Sequence, residues 1–141
     1  MNSYEFRGSR LTFDADESLW ICGGFGAELH YAFSGLLEAP DSVALDLANS
    51  IFSQLSEIGP IAVRFLADLL DPTKFYPVDE WDLEGFIFRA GDKVDSSAVE
   101  VSLCHHGDTY GTWRVTFRAS KPAELEGRFQ FQPDTVIRRF C

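Results

Sequence analysis

The chain lacks the features that mark most well-known chemistries. No apolar run approaches the ~20 residues needed to cross a bilayer, and Met1–Arg10 has no apolar core of the kind a secretory leader carries. The expectation is therefore a cytoplasmic protein with no membrane partner. Cysteine is scarce: Cys22, Cys104 and Cys141 are the three. An odd number at long spacing argues against a disulfide framework and against a paired-cysteine zinc site. It suits a reducing compartment. Cys22 and Cys104 fall in apolar, strand-like runs and read as small core residues. Basic residues are also few, 12 against 22 acids, for a net charge of −10. Nucleic acid is disfavoured, because phosphate contacts need a basic patch. Gly23-Gly-Phe-Gly26 lacks the Lys-Ser/Thr of a phosphate loop, and no helix begins directly after it. It reads as a turn. Regular strand–helix alternation is missing, and so are internal repeats. No cofactor is implied.

What is present is core-forming material. Hydrophobic residues make up 45% of 141 residues, with 13 Phe and 3 Trp, enough to fold a single domain of ordinary size despite the charge. Arg10–Phe13 and Leu19–Cys22 read as short strands around the polar turn Asp14–Ser18. In 28–33, Leu29, Tyr31 and Phe33 alternate with Glu28, His30 and Ala32, the period of a half-buried strand.

Pro40-Asp41-Ser42 is a helix start signal, since Asp41 or Ser42 can accept from first-turn N–H groups. Ala44, Leu45, Ala48, Ile51, Phe52 and Leu55 then recur at helical spacing. Gly59-Pro60 interrupts, and proline suits the first turn of a helix. Two helices follow from this reading, about 42–57 and 60–70, ended by Asp71-Pro72.

Residues 73–85 form a connector. Beyond it, Gly85–Arg89 reads as a strand. The runs Val99–Cys104 and Thr112–Arg118 form the strongest hairpin signal in the chain. Phe129 and Phe131 suggest a final edge strand. The expected fold is α+β: an antiparallel sheet of about five to seven short strands with a central pair of helices packed on one face.

Three groups of residues could carry chemistry. Cys104-His-His-Gly-Asp108 holds metal-ligand side chains. Adjacent histidines in an extended strand point to opposite faces, whereas in a loop they could share an ion; zinc wants three or four ligands, the others would have to come from Asp108, His30 or a remote residue, and a solvated hairpin loop is the expectation. Asp79, Glu80, Asp82 and Glu84 surround Trp81, a combination suited to Arg- and Lys-rich partners through charge and cation–π contacts. Asp14, Asp16 and Glu17 form a second acidic turn. If it lies beside the 79–84 group, the two make one acidic surface. Charge is uneven in the same sense: residues 1–80 hold 13 acids and four bases, and residues 81–141 hold nine and eight.

The arrangement resembles a group of small bacterial proteins of unknown function associated with toxin-immunity loci. The likeness spans 20–118: a short-strand start ending near Trp20, an Ala- and Leu-rich helix pair over 43–70, and the terminal run Tyr110-Gly-Thr-Trp-Arg-Val-Thr-Phe117. It implies a structural kinship and carries over no catalytic residue. The functional expectation is a non-catalytic acidic protein, monomeric or homodimeric, that occludes a basic protein partner in the manner of an immunity or inhibitor protein. The alternatives are a self-assembly module, or an enzyme with a non-contiguous site using His30, His105 or His106.

Overall fold

The computed structural model describes residues 4–22, 29–69, 81–92, 97–106, 111–120 and 130–140. Ten strands and one helical segment follow in chain order. They are β1 (Glu5–Phe6), β2 (Ser9–Arg10), β3 (Thr12–Asp14), β4 (Leu19–Cys22), β5 (His30–Leu36), β6 (Ala39–Pro40), the helical segment, β7 (Trp81–Arg89), β8 (Ala98–His105), β9 (Gly111–Ser120) and β10 (Gln130–Phe140). The helical segment consists of α1 (Ser42–Ile51) and α2 (Leu55–Leu69), joined directly by a single 3₁₀ turn, Phe52–Gln54. No helix among the described residues is long and apolar enough to cross a membrane.

This corrects the expected architecture in two ways. The main sheet has eight strands, in the order β10-β9-β8-β7-β5-β4-β3 with β6 hung on β5, and it is mixed. β5 and β7 run parallel at its centre, while the other described pairings are antiparallel. A parallel pair needs a long crossover, and the helical segment sits in it. The second correction concerns the helices. There is one segment, not a pair split at Gly59-Pro60. Pro60 lies inside α2 on its exposed side. The irregularity falls earlier, at Ile51, whose φ −106° and ψ 5° leave the helical region. Leu55, Ile58, Ala62 and Leu66 are buried on both sides of Pro60. Their shared apolar stripe holds the helix together against the local cost of a proline, because packing contributes most of a helix's stability in a folded protein.

The main core lies between this segment and one sheet face. α1 contributes Ala44, Leu47, Ala48 and Ile51. The sheet contributes Trp20, Phe33, Phe86, Phe88, Val99, Val101, Leu103, Val115 and Phe117. Phe33 and Phe88 stack across the parallel pair with centroids 5.3 Å apart. The Trp20 indole N–H donates to the Leu36 carbonyl at 2.8 Å. Asp41 occupies the N-cap position of α1, but its carboxylate makes no capping bond. It accepts instead from the Ser34 hydroxyl at 2.8 Å, and that hydroxyl accepts from the Ala90 N–H at 2.9 Å. The start of the crossover is thus tied to both parallel strands.

β1 and β2 form a separate hairpin, which residue patterning did not anticipate. Its turn residues Arg7 and Gly8 both have positive φ, 49° and 88°. That is the requirement of a two-residue turn whose twist matches the strands. The expected hairpin over 99–118 is present as β8 and β9. β10, eleven residues long, is one edge of the sheet.

Candidate functional site

The second face of the sheet carries no helix among the described residues, yet it has its own small apolar cluster. Leu19, Ala32 and Ile87 are buried there, with Ile21 packed against them. Strand register explains the grouping. Ile21 pairs Ala32, Ala32 pairs Ile87 and Ile87 pairs Glu100. The adjacent row runs His30, Gly85, Ser102, Arg114. Side chains two apart on a strand share a face, so both rows look the same way.

A β-bulge modifies the second row. Leu83 pairs Leu103 and Gly85 pairs Ser102, leaving Glu84 as an extra residue with no cross-strand partner. Bulges re-aim side chains locally, and here the re-aimed residue is acidic. The strand approaches its parallel neighbour very closely at this point: a Cβ on Gly85 would lie 2.2 Å from the His30 carbonyl oxygen. Only glycine fits.

The outcome is a cleft of about 190 Å³. Its floor is apolar, from Leu19, Ile21, Ala32 and Ile87, and its polar wall is Glu17, His30, Glu84, Ser102 and Arg114. Glu17 comes from the turn between β3 and β4. Its Oε2 lies 3.5 Å from Arg114 Nη2, at the outer limit of a hydrogen bond. Two wall atoms are shut off from water and make no hydrogen bond, Glu84 Oε1 and Arg114 Nε. Leaving a buried polar atom unsatisfied costs on the order of 1–3 kcal/mol, and more where the group is charged. One row away, Glu100 shows the contrasting case. Its side chain is only 8% exposed, but Arg89 Nε bonds to it directly.

Of the acids flanking Trp81, the two described ones, Asp82 and Glu84, go to different places. Asp79 and Glu80 lie outside the described residues. Trp81 is half-buried on the helix side of the sheet, edge-on to His105 at 4.7 Å and to Trp113 at 6.3 Å. Asp82 is exposed, 2.6 Å from His106 Nε2. Glu84 enters the cleft. The other acidic turn divides similarly: Asp14 Oδ1 accepts from the Asp16 N–H at 3.0 Å, while Glu17 reaches the cleft. Among the described residues, each acidic stretch therefore sends one carboxylate to a common site.

The three histidines do not converge. His105 is 2% exposed beside Trp81, His106 is exposed with Asp82, and His30 stands at the cleft. Asp108 lies outside the described residues. No group of three metal-ligand side chains gathers among the described residues. Cys22 is buried, and burial pushes its thiol pKa above the ordinary value, with backbone hydrogen bonds from Tyr31 and Cys22 itself opposing this in part. Cys104 is half-buried.

Sequence reasoning missed Arg114, Ser102 and Ile87 as site residues. The alternation around Arg114 was visible, but the register that sets it beside Ser102 and Glu84 depends on the parallel pair and the bulge. Comparison of this chain with protein-family models, curated proteins and solved structures finds no match in any of the three.

Proposed function

We propose that the protein is a non-catalytic binding protein whose cleft on the helix-free sheet face receives a cationic group. The supporting observation is the buried carboxylate oxygen of Glu84, which has no hydrogen-bond partner. The neighbouring acids are already engaged, Glu17 by Arg114 and Glu100 by Arg89. Glu84 is the cleft carboxylate left to answer. The formal charge of −10 favours the approach of a cation at low salt. A Lys or Arg side chain of a basic partner protein supplies such a group, and so does a free organic cation.

The test is a titration of the protein with butylammonium and methylguanidinium, followed by amide chemical shifts. Saturable shifts at residues 84–87, 102 and 114 are expected. They should weaken with added salt and fall at least about tenfold in affinity in Glu84→Gln, the scale of one charge-assisted hydrogen bond. Equal binding by the wild type and Glu84→Gln would remove the basis of the proposal.

A further inference from the structure

We infer that the cleft takes a free α-amino acid with an apolar side chain. This rests on the cation reading of Glu84 and adds a second, opposite demand from the same wall. Glu84 Oε1 is an acceptor without a donor, and Arg114 Nε is a donor without an acceptor. The two residues line one cleft and leave each other unsatisfied. A purely cationic ligand answers the first and leaves the second. A purely anionic ligand does the reverse and meets both Glu17 and Glu84. A group carrying an ammonium and a carboxylate on one carbon offers a partner of the right sign to each of the two residues.

The remaining contacts agree with that ligand. The guanidinium presents five donors in a fixed fork, and its one bond here is the 3.5 Å contact with Glu17. It can therefore take a second carboxylate. A carboxylate turns readily about its terminal torsion, which is broad and two-fold. Glu84 can thus bring its shielded oxygen to a ligand without moving the strand. Ser102, between Gly85 and Arg114 in the same row, adds a hydroxyl. The floor of Leu19, Ile21, Ala32 and Ile87 suits a branched aliphatic side chain, and 190 Å³ suits a molecule of that size better than a drug-sized one. Pockets that select strongly do so through buried polar groups that a wrong ligand leaves unpaired, and this wall has one of each sign.

The experiment uses the intact chain and three related probes: L-leucine, isopentylamine, which is leucine without its carboxylate, and isocaproate, which is leucine without its ammonium. Binding is read by calorimetry and by amide shifts. Leucine is expected to bind at least about tenfold more tightly than either stripped probe, the worth of one charge-assisted hydrogen bond on each side. Arg114→Met should bring leucine down to the affinity of isopentylamine, with Arg114→Lys recovering part of the loss. Thermal unfolding of each variant confirms that it folds. Isopentylamine binding as tightly as leucine would overturn the amino-acid assignment and leave the cation proposal standing. Isocaproate binding most tightly, or no saturable shift with any probe, would overturn both.

Discussion

Gly85 shows how much a single position can decide. Its missing Cβ lets the bulged strand β7 pass within van der Waals reach of His30, and that approach sets both the parallel pairing and the direction of Glu84. Gly85→Ala places a methyl 2.2 Å from a backbone carbonyl oxygen that cannot swing aside. Overpacking of this kind costs typically about 1–3 kcal/mol, and here the upper part of that range is expected. Urea unfolding should show it, and the cleft residues should shift together in the amide spectrum. Cys22 makes a different prediction. Its thiol pKa is raised by burial, so at pH values between the unfolded and folded pKa the native chain holds a proton that the unfolded chain has lost. Stability then falls as pH rises through that window, because the unfolded state binds fewer protons. Melting temperatures taken from neutral to alkaline pH should decline more steeply for the wild type than for Cys22→Ala. The burial of Cys22 was readable from the apolar run Leu19–Cys22. The need for glycine at 85 was not, since nothing local says which strand lies alongside.

Among the elements, the helical segment was the most legible and was still divided at the wrong place. The apolar spacing over 44–55 marked Ala44, Ala48, Ile51 and Leu55 of the buried face, and Asp41 marked its start, while beyond Leu55 the buried face turned out to be Ile58, Ala62 and Leu66. Gly59-Pro60 then suggested a break, because local rules set proline at a first turn. The stripe of Leu55, Ile58, Ala62 and Leu66 continues through it and prevails. The remaining cost can be measured. Pro60 is exposed, so Pro60→Ala removes no core contact and restores a backbone N–H. The variant is expected to be more stable by about 1–3 kcal/mol, up to the propensity gap between proline and alanine in a helix interior. Unchanged or lower stability in chemical denaturation would show that the helix has fully accommodated the ring. The β-bulge in β7 is the opposite case. Trp81, Leu83, Phe86 and Phe88 face the helix layer, and that sequence of residues keeps strict alternation only if one residue between Leu83 and Phe86 is looped out. The signal was present, but a looped-out residue breaks the visible period of two, so 73–85 reads as a connector rather than as the start of a strand.

For the molecule as a whole, the sequence indicated a sheet with helical cover and a terminal hairpin, and missed the mixed topology. Alternation reports which residues share a face and says nothing of which strands are neighbours. The order β7-β5 at the centre rests on the crossover, which patterning cannot specify. The same limit hid the cleft, whose walls come from Glu17 at one end of the sequence and Arg114 at the other, 97 residues apart. Exchange of backbone amide hydrogens should reveal how these parts are held. Protection is expected to be highest in β7, β8 and β9, which carry Phe86, Phe88, Val99, Val101, Val115 and Phe117, and lower in β3, a three-residue edge strand. Uniform protection across the sheet would show that the chain opens only as a single unit.

The parallel seam between β5 and β7 has a kinetic consequence. On one side of it, β3 to β6 are connected locally; on the other, β7 to β10 form a meander of neighbours. Each group can zip up quickly on its own. Joining them requires His30–Phe33 to pair with Gly85–Phe88, partners 55 positions apart in the chain, an entropic toll of about 3.5 kcal/mol from chain closure, and non-local pairing of this sort sets the pace of folding. The cleft lies across that seam, with Leu19, Ile21, His30 and Ala32 on one bank and Glu84, Ile87, Ser102 and Arg114 on the other. It is therefore among the last features to be assembled and among the first to be lost. A molecule seated in it would act as a clasp between the two halves, lengthening the lifetime of the folded chain.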